Sequence, residues 1–176
     1  ETDLKKFRPP TEEEKKNDEE LLKKYGLRRK YIAFWGRIDP AKGISNLISA
    51  YDKLCYKSKV EYDLAIFGMP SNLEYYHNNV LRKYHQLPEK IKTRVKIYAE
   101  QFPESELLTL IRSASIGAFP SIREAFGLVA LEAQACGLPV VVGNVGGLPD
   151  NIIEKKTGVL VDSSDTSSIA DGLEYV

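Results

Sequence analysis

The chain has 176 residues, of which 43% are hydrophobic and 28% charged, a composition typical of a globular domain with a full core. Lysine plus arginine and aspartate plus glutamate both number 25, so the excess positive charge that drives nonspecific nucleic-acid binding is absent. No apolar run approaches 18 residues, and residues 1–6 lack the apolar core of a signal peptide. The sequence therefore predicts neither a transmembrane segment nor a secretory leader.

The two cysteines, Cys55 and Cys136, lie in apolar stretches without metal-ligand spacing. We interpret both as reduced core residues, which indicates a reducing, cytoplasmic compartment. His77 and His85 lie in a polar helical stretch and are interpreted as surface residues. The chain has no His-Glu-x-x-His or Cys-x-x-Cys pattern, so no metal site is expected.

The N-terminal part combines an irregular arm with a charged helix. Residues 1–10 show no periodicity and end in two prolines, which predicts a linker. Thr11 and Glu14 form a capping-box pattern at the start of a helix that runs to Tyr25. A solvated surface helix is the ordinary interpretation of its charges, and a charge-based binding role is the weaker alternative.

Short apolar strands then alternate with helices. We predict strands at 31–35, 62–67, 95–99, 116–119, 139–142 and 159–161, and helices at 44–56, 72–85, 103–113, 128–136, through 154 and from about 167. This alternation predicts an α/β, Rossmann-like, doubly wound parallel sheet of about six strands, with helices on both faces and right-handed crossovers.

Residues 116–143 hold the most informative local pattern. Pro120 ends a short strand, Glu124 falls in the following loop, and Gly127 precedes a helix on which Glu132 lies about two turns from the loop. In a parallel sheet such loops lie at the carboxyl edge, where ligands bind, and the first helical turn offers free N–H groups to phosphate or sugar oxygens. Two carboxylates at different depths suit a ligand with hydroxyl groups at both ends.

Two further loops are expected at the same edge. The loop after the first strand offers Arg37 and Lys42, and the loop after the fifth strand is rich in glycine. Arginine binds two phosphate oxygens in a fork and lysine adds a point charge, whereas carboxylates suit hydroxyl groups. The three loops together predict a site for a diphosphate flanked by polyhydroxyl groups, that is, a nucleotide sugar. Any single loop would be weak support.

Each of these residues also has a plainer interpretation. Arg37 and Lys42 can be ordinary surface charges. Glu132 can be a solvated helix residue, although its small and apolar neighbours favour a partner for the carboxylate. Gly143, Gly146 and Gly147 superficially resemble a dinucleotide fingerprint, but no Gly-x-Gly-x-x-Gly follows the first strand, which argues against a nicotinamide dehydrogenase.

Several motifs occur together in a fixed order. They are Gly36-Arg37-Ile38 with Lys42-Gly43, Pro120-Ser121, the run from Glu124 to Ala133 with seven residues between its two glutamates, Gly137-x-Pro139-Val140-Val141, and Gly146-Gly147. In this order they resemble the C-terminal domain of GT-B glycosyltransferases of family 4, also called glycosyl transferases group 1. The resemblance covers residues 34–162, and the spacing of the glutamates in this context is highly specific.

The resemblance implies the nucleotide-sugar donor domain of a hexosyltransferase-type enzyme that retains the anomeric configuration and needs no metal or other cofactor. The donor would be a UDP-, GDP- or ADP-sugar. Arg37 and Lys42 match the basic pair that holds the donor diphosphate and stabilises the leaving group. Glu124 matches the glutamate that faces the donor sugar, and these three residues are the catalytic candidates.

Glu132 matches the glutamate that takes the ribose hydroxyls, and the amides of residues 126–129 match the turn that contacts sugar and phosphate. The complete set of binding candidates implied by the resemblance is Gly36, Arg37, Lys42, Ser121, Glu124, Phe126, Gly127, Leu128, Val129 and Glu132.

The ends of the chain depart from the family's pattern. Residues 2–9 resemble the interdomain linker, so we expect a linker remnant at 1–10 and a donor-binding domain at 11–176, with the N-terminal acceptor domain absent and the C-terminal helices truncated. Such a domain is expected to bind its donor but to transfer poorly or not at all, because the absent domain would hold the sugar, lipid or small-molecule acceptor. We expect a cytoplasmic protein, and location at the cytoplasmic face of a membrane stays open for the full-length enzyme.

Two other functions stay open as alternatives. A related GT-B enzyme, such as a nucleotide-sugar epimerase or a phosphorylase, would share the fold, but the context of the two glutamates argues against it. A non-catalytic nucleotide-binding module would bind the same ligand and transfer nothing.

Overall fold

The computed structural model describes residues 3, 5–28, 30–59 and 61–176, and the sheet within them has six parallel strands. The strands are β1 (Tyr31–Trp35), β2 (Asp63–Phe67), β3 (Val95–Tyr98), β4 (Ile116–Phe119), β5 (Val140–Gly143) and β6 (Gly158–Val161). They lie in the order β3-β2-β1-β4-β5-β6. The predicted α/β, Rossmann-like parallel sheet is confirmed.

Helices surround this sheet. They are α1 (Glu12–Lys24), α2 (Ile44–Lys57), α3 (Leu73–Tyr75), α4 (Arg82–Gln86), α5 (Glu89–Lys92), α6 (Glu104–Ser113), α7 (Leu128–Ala135) and α8 (Thr166–Tyr175). Helix α2 packs on α8, α1 packs on α6, and α7 packs on β4 and β5. Since β1, β2, β4 and β5 are covered by these layers, every one of their residues is buried, which explains why they are short apolar runs apart from Asp63 at the start of β2. Asp63 is paired with Arg94 at 3.2 Å.

The N-terminal arm is fastened to the body by Glu14. The capping box is present: Thr11 N–H donates to Glu14 Oε2 at 2.8 Å, and Glu14 N–H donates to Thr11 Oγ1 at 3.2 Å. The same carboxylate accepts from Arg8 on the arm at 2.7 Å and from Arg112 on α6 at 3.2 Å. The hydrogen bonds from Arg8 are the main reason why the pKa of Glu14 falls to about 2. Of the predicted linker, residues 1, 2 and 4 lie outside the described residues.

Two helical predictions differ from the structure. The single helix predicted at 72–85 is split by a π-helical segment (Tyr76–Leu81), in which Val80 is the one buried residue. A π turn holds one residue more than an α turn, so a 3.6-residue pattern does not reveal it. The helix predicted through residue 154 is only a 3₁₀ turn (Pro149–Asn151), because Ile152 is extended and Glu154 pairs with Gly158 in a β-bridge.

The smaller expectations about cysteine and histidine agree with the structure. Cys55 and Cys136 are free thiols, half-buried and buried respectively. His77 and His85 are exposed.

The strand order determines where a ligand crevice opens. The chain builds outward from β1 through β2 to β3, and then from β4 in the opposite direction through β5 to β6. Strands β1 and β4 are neighbours, with Ile32 opposite Ile116. The loops after these two strands therefore diverge from the point where the winding reverses, which is the usual ligand position in doubly wound sheets.

Candidate functional site

The loop after β1 lies between two neighbouring loops and is bonded to both. On one side, Ile38 N–H donates to Met69 O at 2.9 Å in the loop after β2. On the other side, Ala41 O accepts from Ile122 N–H at 2.7 Å and from Arg123 N–H at 3.2 Å in the loop after β4. The backbone of the β1 loop is thus held across the crevice from the segment that leads into α7.

Lys42 and Glu124 meet across this crevice. Asp39 caps a 3₁₀ turn (Pro40–Lys42) by accepting from Ala41 N–H at 2.9 Å, and Lys42 ends that turn. Lys42 Nζ lies 2.7 Å from Glu124 Oε2, and the two side chains are only 21% and 14% exposed. Two residues that are 82 positions apart in sequence, both predicted site residues, are therefore brought into one ion pair.

Glu132 lies on α7 and has a hydrogen-bond partner, Trp35, that the sequence did not identify. Its Oε2 accepts from the indole Nε1–H of Trp35, at the end of β1, at 3.0 Å. Burial raises the pKa of Glu132, and the hydrogen bond from Trp35 acts in the opposite direction. A signal was available: a buried tryptophan N–H normally finds an acceptor, and Trp35 adjoins the loop that carries the basic residues.

The N-terminus of α7 contributes the third feature. Gly127 is its N-cap in a left-handed conformation, and within the described part of the chain no side chain caps the first-turn N–H groups. Those groups and the positive end of the helix dipole suit phosphate or sugar oxygens. Asn151 supports the turn by donating from Nδ2 to Phe126 O, and Phe126 itself is 76% exposed. Leu128 is exposed and Val129 is half-buried in the first turn of the helix.

The remaining predicted residues lie around this centre. Arg37 follows the exposed Gly36, and its side chain is 75% exposed with Nε 3.9 Å from Asp39 Oδ2. The ion pair of Arg37 within the described ranges is with Asp39, not with Glu124. Ser121 is buried; its carbonyl accepts from Ser163 Oγ at 2.8 Å, whereas its own hydroxyl has no hydrogen-bond partner among the residues that the structure describes. Ser121 lies three residues before Glu124 in the same loop.

The glycine-rich loop after β5 packs directly against the backbone of the loop that carries Glu124. Gly147 N–H donates to Ala125 O at 3.1 Å. Gly146 has φ of 55°, and a Cβ placed on it would lie 1.6 Å from Glu124 O. This loop therefore acts by close backbone approach, and it offers no charged side chain of its own between residues 143 and 147.

Charge and hydrogen bonding, rather than enclosed volume, distinguish this site. A cavity of about 430 Å³ opens beside it toward β5 and β6, bordered by Ile122, Asn144 and Asp162 among others, and neither glutamate lines it. Over the described ranges, no group of three His, Cys, Asp or Glu side chains is placed to hold a metal ion. The helices in those ranges also include none that is long and apolar enough to cross a membrane.

A doubly wound parallel sheet with a lysine, two carboxylates and a glycine-capped helix N-terminus at its switch point defines an α/β protein with a crevice suited to a ligand. Comparison with known proteins makes this specific. A sequence model of the family described as glycosyl transferases group 1 matches residues 15–176, and the chain belongs to this family. The family resemblance drawn from the motifs is confirmed.

Individual relatives agree with this assignment. The D-inositol 3-phosphate glycosyltransferase of Corynebacterium glutamicum is 39% identical over 150 residues, which are 84% of this chain and 35% of that protein. The chain thus spans about a third of the length of the curated relatives it matches.

Solved structures show the same fold. The C-terminal domain of LpcC, a glycosyl transferase group 1 family protein from Francisella tularensis, matches with a TM-score of 0.80 at 23% identity, covering 99% of this chain and 86% of that one. Anabaena HepE, solved in complex with UDP and glucose, matches with a TM-score of 0.79 at 20% identity, covering 97% and 44%.

Proposed function

We propose that the chain is the nucleotide-sugar donor-binding domain of a retaining glycosyltransferase. The observation that carries the proposal is the arrangement at the β1–β4 switch point, where Lys42 pairs with Glu124 and Glu132 accepts a hydrogen bond from Trp35 at the end of β1. Family membership over residues 15–176 supports the reaction class.

The three charged groups suit three parts of one ligand. Lys42 and the N–H groups at the start of α7 offer positive charge to a diphosphate. Glu124 lies at the mouth and accepts from hydroxyl groups of the donor sugar, while Glu132 lies deeper and accepts from the hydroxyl groups of the ribose. Both carboxylates need hydroxyl donors, because two carboxylates facing a diphosphate would repel it.

Binding exchanges one ion pair for another. Without donor, the Lys42 ammonium is neutralised by Glu124 at 2.7 Å. A diphosphate that reaches Lys42 replaces this partner and leaves the Glu124 carboxylate for the sugar. Arg37 is exposed and can swing from Asp39 toward the same diphosphate, where its fork binds two oxygens.

The same cations act during transfer. When the bond between the anomeric carbon and the diphosphate oxygen breaks, its electron pair stays on the diphosphate, and Lys42, Arg37 and the α7 amides stabilise that charge. The acceptor hydroxyl bonds through its oxygen to the anomeric carbon on the face that the nucleotide leaves, and its proton passes to an oxygen of the departing diphosphate, so the configuration is retained. We propose that the acceptor, whether a sugar, a lipid or another small molecule, is bound by residues outside this domain.

A calorimetric titration with UDP, GDP and ADP tests the proposal, with UDP first because HepE was solved with it. We expect one of them to bind, and we expect Glu132→Gln to weaken it by about 10- to 100-fold, the value of a lost hydrogen bond to a charged group. Glu13→Gln, on the exposed first turn of α1, is the matched control and leaves binding unchanged. A folded chain that binds none of the three nucleotides would overturn the proposal.

A further inference from the structure

Trp35 is the residue at the crevice that the proposed function does not yet use. It ends β1, is 4% exposed, and packs edge-on against Phe119 with ring centroids 4.6 Å apart. Its Nε1–H donates to Glu132 Oε2 at 3.0 Å. A phenylalanine ring at this place would fill the core equally, but the indole also offers a hydrogen-bond donor to the carboxylate.

This hydrogen bond restricts the orientation of the Glu132 carboxylate. Within the described residues, Trp35 is the one hydrogen-bond donor to this carboxylate. Its neighbours along α7 include Ala130 and Ala133, which are both fully buried and apolar. With Oε2 held by Trp35, Oε1 is the oxygen that remains for a ligand, and its direction is set by β1 rather than by free rotation of a glutamate side chain.

Burial and the indole act on the charge in opposite senses. Burial favours the neutral acid and raises the pKa of Glu132, whereas the indole N–H stabilises the carboxylate and lowers that pKa. A neutral acid would offer a hydroxyl donor where the ribose needs an acceptor. The indole therefore supports both the direction and the ionisation of the group.

We propose that Trp35 is a positioning residue for Glu132, and that through this hydrogen bond it gives the site its preference for ribose over 2′-deoxyribose nucleotides. The inference rests on the proposed function, because it assumes that Glu132 faces the ribose. It goes further in assigning sugar selectivity to a residue that need not touch the ligand.

The test is a calorimetric double-mutant cycle with Trp35→Phe, Glu132→Gln and the double variant. Phenylalanine keeps a ring against Phe119 and removes the N–H. The probes are whichever of UDP, GDP and ADP binds most tightly to the wild-type chain, and its 2′-deoxy form. We expect a wild-type preference for the ribonucleotide of about 10-fold or more, the range for a charged hydrogen bond.

In Trp35→Phe the ribonucleotide should bind about 5- to 10-fold more weakly and the deoxynucleotide within about 2-fold of wild type, because one oriented charged hydrogen bond is lost. In the Glu132→Gln background the same change should alter neither affinity by more than about 2-fold, since coupled residues are not additive. Tyr31→Phe is the control: it removes another buried donor from β1, the hydroxyl bonded to Leu110 O, and should leave the preference intact.

Trp35 is the only tryptophan in the chain, so its fluorescence reports this contact directly. Glu132→Gln should shift the emission of the ligand-free protein. Equal weakening of both nucleotides in Trp35→Phe, or additive effects in the cycle, would show that the indole only fills space and would overturn the inference while leaving the proposed function standing. Absence of binding by the folded wild-type chain would overturn the proposed function and this role with it.

Discussion

At the residue scale, Lys42 and Glu124 neutralise each other while the crevice is free of ligand. The pair is short, 2.7 Å, and both side chains are largely removed from solvent. The contribution of the pair to the free energy of unfolding is larger than that of an exposed ion pair. It is smaller than the free-energy cost of leaving one fully buried charge without a partner. The pair therefore stabilises the crevice while no ligand is bound. In the proposed function, both charges become available when a diphosphate competes for Lys42.

Glu124→Gln separates the two roles of this pair. The variant leaves Lys42 without its carboxylate, so a bare nucleoside diphosphate should bind as tightly as before or a few-fold more tightly. A nucleotide sugar should lose its advantage over the bare diphosphate, because the amide accepts less strongly from the sugar hydroxyls. Calorimetry with both ligands measures the difference.

Urea unfolding of the same variant should show a loss of about 1–3 kcal/mol, between the exposed and buried limits for ion pairs. The control is Glu61→Gln, which breaks the exposed pair with Lys30 and should change neither stability nor binding appreciably. A variant that loses affinity for both ligands equally would contradict the role assigned to Glu124.

The sequence located most of these residues but not their partners. Parallel strand order places Lys42 and Glu124 at one edge, yet only the 3₁₀ turn capped by Asp39 directs the lysine at the glutamate. Trp35 was missed because a tryptophan inside an apolar strand looks like an ordinary core residue; the need of its buried N–H for an acceptor was the one signal of a further role. The local sequence pattern around Arg37 does not predict the direction of its exposed side chain.

At the element scale, the loop after β5 fits against the loop after β4 with no room for a side chain. Gly146→Ala would place a methyl group 1.6 Å from the Glu124 carbonyl oxygen, at a residue with φ of 55°. The Glu124 loop must move, so we expect a loss of stability above the ~1–2 kcal/mol of a left-handed alanine and at least a several-fold loss of nucleotide affinity.

Gly26→Ala is the matched control for that change. Gly26 has φ of 61°, and among the described residues nothing lies within 4 Å of the position that a methyl group would occupy, so the variant carries the backbone cost alone. It should lose about 1–2 kcal/mol in chemical unfolding and bind nucleotide normally. If Gly146→Ala behaves like Gly26→Ala in both measurements, the loop after β5 does not support the site.

The elements themselves were predicted well where the apolar pattern is regular, in the strands and in the amphipathic helices, and poorly where the chain leaves regular α-helical geometry. Strands β1, β4 and β5 are continuous apolar runs ended by glycine or proline, and their positions follow directly. The π-helical segment around Val80 and the 3₁₀ turn at Pro149 depend on tertiary packing and on a β-bridge to Gly158, which no local pattern carries.

At the scale of the whole molecule, a ligand that bridges the two halves of the sheet should stabilise both. Nucleotide at 100 times its dissociation constant adds ~2.7 kcal/mol by mass action, which for a domain of this size corresponds to an increase in Tm of roughly 5–10 °C. Scanning calorimetry measures it, and Glu132→Gln at the same ligand concentration should show a much smaller increase. An unchanged Tm in saturating nucleotide would contradict binding to the native sheet.

The order of the strands also has a kinetic consequence. Lys42 and Glu124 are 82 residues apart, and they come together only when β1 pairs with β4. Contacts of such long range form slowly because the entropy of closing the intervening loop must be overcome first. Neither the β1–β2–β3 half nor the β4–β5–β6 half holds both Lys42 and Glu124. During refolding we therefore expect the proposed nucleotide binding to appear only when the two halves join, and its appearance would mark the completion of the sheet.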